Sequence, residues 1–312
     1  MKILVLGSRG MVGSSVSRVL KNNKDINLFE SSRDDTNLFS LTETKKLLND
    51  FKPNIIINSA AKVGGILAND LQRTDFILNN LKININIIES LIKFPEIKLI
   101  NLGSSCIYPL GAEVPITESS LLTGKLEPTN SAYAMAKLAA IEMGDAISKQ
   151  YGHEVIDLMP TNLYGPNDNY NLLTSHFFPA LIKKIIDAIK NNKDYIVLWG
   201  NGKSRRELIF SEDIASACIF FLRKKTKSKI FNIGSGMEYS IEQYAKLIMK
   251  HLKVNLRIIY DSKRPNGTFK KLLDSSLAKN NGWSHQISFK KGLPIVINDY
   301  LRNHLDKINR KI

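Results

Sequence analysis

The chain has 312 residues, with 44 Lys+Arg against 29 Asp+Glu for a formal charge of +15, 43% apolar residues and two cysteines. This composition excludes a disordered chain and a disulfide-stapled mini-scaffold, and no apolar run approaches the roughly 20 residues of a membrane-spanning helix. Cys106 and Cys218 lack the spacing of a zinc site and MKILVLGSRG is too short for a secretory signal, so a cytoplasmic protein without metal or membrane contact is expected.

In chain order, KILVL (Lys2 to Leu6) predicts a first strand and Gly10 to Leu20 a helix, followed by a strand at Asn27 to Phe29 and a helix at Leu41 to Asp50. NIIIN (Asn54 to Asn58) predicts a strand buried on both faces, where alternation is not required. A helix from Asp75 to Ile92, a strand from Lys98 to Leu102, a helix from Pro128 to Gln150 capped by Thr129 or Asn130, and a strand from Glu154 to Met159 continue the alternation. Beyond the loop Pro160 to Pro166 the pattern loosens, with helices at Phe177 to Ile189 and Ile241 to Leu252 and strands at Ile196 to Trp199 and Arg257 to Tyr260. The fold expected is α/β, a Rossmann-type doubly wound parallel sheet with a smaller C-terminal lobe. Residues 1–160 would form the sheet domain, with returns to it around 194–235, and residues 161–193 and 236–312 the second lobe. The basic run RKKTKSK (Arg223 to Lys229) has no interleaved aromatic residues to stack bases and reads as a solvated turn, so no nucleic acid is expected.

Gly7-Ser8-Arg9-Gly10-Met11-Val12-Gly13 follows the first strand and opens a helix. Glycines permit the tight turn and close approach of a pyrophosphate, and the helix N-terminus favours its charge, so this strand–turn–helix predicts a dinucleotide site. Glu30, near the position of a ribose-binding acid, favours NAD. Arg9 and Arg33 favour the 2′-phosphate of NADP, the cofactor expected here.

Tyr133 and Lys137 stand four residues apart on one helix face, where the lysine charge is expected to lower the phenol pKa and suit Tyr133 to proton exchange with a carbonyl oxygen. Taken alone, this spacing is an ordinary helix face. With the glycine turn and the strand end at Ser104, it resembles the Ser-Tyr-Lys centre of the extended short-chain dehydrogenase/reductase superfamily.

A narrower match comes from Ala60-Ala61-Lys62-Val63-Gly64-Gly65-Ile66, Gly103-Ser104-Ser105-Cys106-Ile107-Tyr108-Pro109, Leu126-Glu127-Pro128-Thr129-Asn130 and Pro160-Thr161-Asn162-Leu163-Tyr164-Gly165-Pro166. With Ser175-His176, Trp199-Gly200 and Lys271-Leu272-Leu273-Asp274, these resemble the GDP-L-fucose synthase family over nearly the whole chain. That resemblance implies 3,5-epimerisation of GDP-4-keto-6-deoxy-D-mannose followed by NADPH-dependent reduction at C4, in a homodimer paired through two long helices. It implies Ser104, Cys106, Tyr133, Lys137 and His176 as catalytic residues, with Cys106 as base and His176 as acid. It implies a cofactor site of Gly7 to Gly13, Arg33, Asn37, Leu38, Ala60, Ala61, Leu102, Gly103, Tyr133, Lys137, Pro160, Asn162, Leu163 and His176. For the substrate it implies Ser105, Cys106, Asn162, Lys184, Trp199, Arg206, Asn266 and Lys271. Lys184 stands where the family has arginine and Asn266 where it has aspartate, which leaves open a relative acting on a colitose-type or 6-deoxy-heptose GDP-4-keto sugar. A non-catalytic NADP-sensing or nucleic-acid-binding protein is the alternative of a different class, and the complete catalytic set argues against it.

Overall fold

In the computed structural model, which describes residues 1–227, 229–264 and 267–305, the chain begins β1 (Lys2–Leu6), α1 (Met11–Lys21), β2 (Asn27–Ser31), α2 (Leu41–Phe51), β3 (Ile55–Asn58), α3 (Ile66–Leu71), α4 (Arg73–Leu91) and β4 (Lys98–Leu102). It continues α5 (Ser131–Tyr151), β5 (Val155–Pro160), β6 (Asn162–Tyr164), α6 (Phe177–Lys190), β7 (Tyr195–Trp199), β8 (Arg205–Phe210), α7 (Ser211–Arg223) and β9 (Ile230–Ile233). The last elements are β10 (Glu238–Ser240), α8 (Ile241–Leu252), β11 (Arg257–Asp261), β12 (Lys270–Lys271), α9 (Ser276–Asn280) and α10 (Phe289–Tyr300).

Strand β1 divides its apolar side chains between two cores. Ile3 and Val5 join one cluster, Leu4 and Leu6 another, and all four are buried, the arrangement of a strand covered by helices on both faces. The parallel sheet has six strands in the order β2-β1-β3-β4-β5-β9. On one face Val16 and Leu20 of α1 and Ile214 and Phe221 of α7 pack on Ile57, Ile100, Ile156 and Phe231. On the other, Leu48 of α2, Ile83 and Ile87 of α4 and Ile147 of α5 meet Leu4, Ile56 and Leu99. Each such side chain contributes about 1.5–3 kcal/mol by leaving water. The winding reverses between β1 and β3, so a crevice opens at the carboxyl ends of these strands, where ligands bind in such sheets.

The second lobe has its own core, in which Phe178, Ile182 and Ile185 of α6, Tyr244 and Ile248 of α8 and Val296 of α10 pack on Ile196, Leu198 and Phe210. Here β7 pairs with β11, and β8 pairs with β6, β10 and β12. The expected return to the sheet around 194–235 is therefore narrower: β9 joins the sheet, α7 covers it, and β8 adds Ile209 to its core, while β7 pairs within the second lobe. Strand β7 buries alternate residues, as suits one covered face, whereas β9 is buried at its last three positions. Conversely, Ala278 of α9 and Trp283 pack into the first core. His153, in the loop between α5 and β5, is buried, and desolvation holds its pKa below the ordinary value. Among the described residues no helix is long and apolar enough to cross a membrane.

Candidate active site

At the end of β1 the chain turns at Gly7, whose φ of 76° is left-handed, and the Gly7 and Ser8 amides donate to the Ser31 carbonyl at 2.9 and 3.1 Å. A Cβ on Gly13 would lie 2.2 Å from the Gly7 carbonyl oxygen, so α1 seats on the turn only with glycine there. Gly10 is the N-cap of α1 and offers no side chain to the first-turn amides of Met11, Val12 and Gly13. Those donors and the positive end of the helix suit a pyrophosphate. Ala60, after β3, packs directly against Gly7, and Ala61 follows it.

Beyond β2, Glu30 is paired with Lys21 at 2.6 Å, and exposed Arg9 is paired with exposed Asp34. Arg33 is exposed. Asn37 accepts the Phe39 amide at 3.0 Å, and the Leu38 carbonyl accepts Asn86 Nδ2 at 2.8 Å, which anchors this wall of the crevice.

The residues expected to react gather at the end of β4. Past Leu102 and Gly103, Ser104 caps a single turn spanning Ser105–Ile107 and its Oγ accepts the Cys106 amide at 3.2 Å. Ser105 is buried and Cys106 half-buried. Tyr133 and Lys137, one turn apart on α5, are both buried, and Tyr133 meets the Phe76 ring edge-on at 6.2 Å. Lys137 Nζ donates to the Leu102 carbonyl at 2.7 Å and stands 5.9 Å from the centre of the Tyr133 ring. Burial pushes the Tyr133 phenol above its ordinary pKa, Cys106 adds to the rise, and a hydrogen bond with Ser104 opposes it. This corrects the expectation that Lys137 lowers the phenol pKa. Desolvation sets the direction here, and the ammonium itself is pushed down to about 8 by burial. The phenol is therefore protonated at neutral pH and able to act as an acid.

The second lobe supplies cations. Lys271 Nζ lies 3.7 Å from Cys106 Sγ, and Arg206, bonded to the Thr268 carbonyl at 2.6 Å, interacts with Cys106 through its charge. His176 is the N-cap of α6, and desolvation first and the Lys271 charge second hold its ring below the ordinary pKa, hence neutral at pH 7. Lys184 donates to the Val197 carbonyl at 3.0 Å and lies 5.5 Å from the centre of the Trp199 ring. Asn162 Nδ2 donates to the Glu207 carbonyl at 3.0 Å, Leu163 packs on the first core, and Pro160 ends β5. Asn266 lies outside the described residues.

Two residues escaped the sequence reading. Glu207 is wholly buried and its carboxylate accepts the Gly236 amide at 2.7 Å and the Leu273 amide at 3.0 Å, which anchors the segment carrying Lys271. Asp157 is a buried carboxylate in β5. The available signal for Asp157 was an acidic residue inside an otherwise apolar strand, VI–LM around it, whereas Glu207 closes the charged stretch Arg205-Arg206-Glu207 and carried no such signal.

A glycine turn suited to a dinucleotide and a buried tyrosine and lysine lie at the carboxyl ends of the same parallel sheet, and this fold is that of the dinucleotide-dependent epimerases and reductases of the short-chain class. The pattern of the NAD dependent epimerase/dehydratase family matches residues 3–234. The chain belongs to this family and, within it, to the GDP-L-fucose synthase relatives. It is 41% identical over 302 residues to GDP-L-fucose synthase 1 of Arabidopsis thaliana, covering 97% of this chain and 94% of that one. It is 37% identical over 311 residues to the GDP-L-fucose synthase of Escherichia coli, covering 97% of each. A solved GDP-mannoheptose C4 reductase from Campylobacter jejuni with NADP bound superposes with a TM-score of 0.86 at 29% identity, covering 96% of this chain and 98% of that one.

Proposed function

We propose that this protein epimerises GDP-4-keto-6-deoxy-D-mannose at C3 and C5 and then reduces the C4 ketone with NADPH, giving GDP-L-fucose. The observation that carries this reading is a thiol set beside a reductase centre: Cys106 is two residues from Ser104, with Tyr133, Arg206 and Lys271 around it. A reductase alone needs no such thiol. The uncapped amides of α1 fit the cofactor diphosphate, and the exposed Arg33, with Arg9 once it exchanges Asp34 for the ligand, fits a 2′-phosphate, while Glu30 is engaged by Lys21. NADP in the Campylobacter jejuni relative supports the same choice. When bound, NADPH supplies the hydride for C4.

The protons at C3 and C5 are acidic because both carbons flank the ketone. The Cys106 sulfur, as thiolate, takes one of them, the Tyr133 and Ser104 hydroxyls donate to the oxygen that gains enolate charge, and a protonated His176 returns a proton to the opposite face; proton exchange with water restores the thiolate and the imidazolium before the second carbon is inverted in the same way. Lys271 and Arg206 would bind the substrate diphosphate, and its negative charge offsets the repulsion that Lys271 exerts on a protonated His176. Tyr133 then passes its proton to the C4 oxygen as the ketone is reduced, and the Lys137 ammonium steadies the phenolate left behind. Lys184 adds a cation for the diphosphate and Trp199 an aromatic wall for the base. Leu78 and Ile85 on α4 and Met135 on α5 are exposed, a surface suited to a homodimer through these helices. A reducing compartment such as the cytoplasm would keep Cys106 as a thiol.

The test is incubation with GDP-4-keto-6-deoxy-D-mannose and NADPH in deuterated water. NADPH loss with deuterium at C3 and C5 of a GDP-L-fucose product is expected, and no turnover despite tight NADPH binding would move the assignment to another GDP-4-keto sugar.

A further inference from the structure

Three central strands carry polar residues where the sheet is otherwise apolar. Asn58 of β3, Asn101 of β4 and Asp157 of β5 are direct register partners. They are each at most 3% exposed and project to the face covered by α4 and α5. The row is also directional. Asn58 Nδ2 donates to Asn101 Oδ1 at 3.1 Å, and Asn101 Nδ2 donates to Asp157 Oδ1 at 2.8 Å. Asn58 Oδ1 accepts the Ala60 amide at 3.2 Å, while Asn84 of α4 meets Asn58 at 3.2 Å. With its oxygen held by Asn58, the Asn101 amide can only donate toward the carboxylate.

One amide does not compensate a buried carboxylate, whose desolvation costs several kcal/mol. The charged groups facing Asp157 are Lys137 and, before β9, Lys229, which favour its anion, and Asp145 of α5, which opposes it. Lys137 is the one that belongs to the reacting centre. Its ammonium is bonded to the carbonyl of Leu102, the residue after Asn101, and Leu102 pairs with Leu158, the residue after Asp157. Carboxylate and ammonium thus occupy adjacent rungs of the same pair of strands.

We propose that Asp157 is a positioning residue, the counter-charge that keeps the Lys137 ammonium protonated beneath Tyr133, with Asn58 and Asn101 fixing the carboxylate in register. It acts through Lys137 and touches neither substrate nor cofactor. The proposal deepens the reductase reading above and rests on it for its consequence in catalysis.

The coupling has a specific pH signature. Burial pushes Asp157 up to about 7, so below that pH it is neutral and replacing it by asparagine changes little charge. Above it, the wild-type carboxylate supports an ammonium whose own pKa has been pushed down to about 8. In Asp157→Asn the midpoint for deprotonation of Lys137 should fall by about one pH unit, the lower end of what a close opposite charge contributes.

Two readouts test this. The first is competitive isotopic acylation of Lys137 in the cofactor-free protein across pH, read by mass spectrometry. The second is the alkaline limb of kcat for NADPH oxidation. The expected result is that both midpoints move down together while rates coincide at pH 6. A labelling midpoint unmoved in Asp157→Asn overturns the proposal, as does a uniform loss of kcat with an unmoved profile. The labelling experiment needs no substrate, so its outcome is separate from failure of the GDP-sugar reading. Should Asp157→Asn not fold, Asp157→Ser removes the same charge and is judged by the same midpoint.

Discussion

Replacing Glu207 by glutamine tests how the second lobe delivers a cation to the reacting centre. The wild-type carboxylate accepts the Gly236 amide on Oε1 at 2.7 Å and the Leu273 amide on Oε2 at 3.0 Å, with no access to water. Glutamine keeps one acceptor oxygen and turns an NH2 toward the other amide. One charge-assisted bond is lost, about 1.5–3 kcal/mol, and a buried donor is left unsatisfied, about 1–3 kcal/mol, so a destabilisation of about 3 kcal/mol is expected. A Cβ at Gly234 would lie 2.4 Å from Oε1, so this loop has little room to shift and re-bond. Because Leu273 follows Lys271 by two residues, its release should also loosen the ammonium from its 3.7 Å approach to Cys106. Urea unfolding measures the first effect, and KM for the GDP-sugar together with the epimerisation rate measures the second. Stability within about 0.5 kcal/mol of wild type, the range of an ordinary surface change, with unaltered KM, would refute the reasoning.

Tyr133→Phe should lower reduction by about 10²–10⁴-fold, the usual worth of a positioned acid, while NADPH still binds; sustained NADPH oxidation would contradict this. Lys271→Met removes a charge that holds the His176 ring below its ordinary pKa, so the NMR titration of His176 should move to higher pH and substrate KM should rise. An unmoved titration would break the link between the two residues. Gly13→Ala forces a methyl against the Gly7 carbonyl, which is backbone and yields little. At a cost of about 1–3 kcal/mol, NADPH affinity should fall roughly tenfold or more, measured by fluorescence titration.

The sheet domain was legible because its strands and helices carry their own signals. KLINL over Lys98–Leu102 and the periodic helix Ile241–Leu252 have their expected bounds, and NIIIN is one residue longer than the strand it became. Elements that depend on pairing were not legible. Strands β6, β10 and β12 are two or three residues long and exist because β8 offers them hydrogen bonds. Strand β8 itself begins Arg205-Arg206-Glu207, a charged stretch with no strand pattern until the fold buries it. In the site, spacing brought Tyr133 near Lys137, but it could not rank burial against charge, and the sign of the phenol shift came out reversed. Glu30 and Arg9 were weighed as free charges, whereas each meets a partner, Lys21 and Asp34, that only folding supplies.

The claim that one thiol beside a reductase centre makes this an epimerase as well is tested most directly by Cys106→Ser in deuterated water. With GDP-4-keto-6-deoxy-D-mannose as substrate, deuterium incorporation at C3 and C5 should be cut sharply while NADPH binds as in wild type. Exchange at the wild-type rate would remove Cys106 from the role of base and contradict the account.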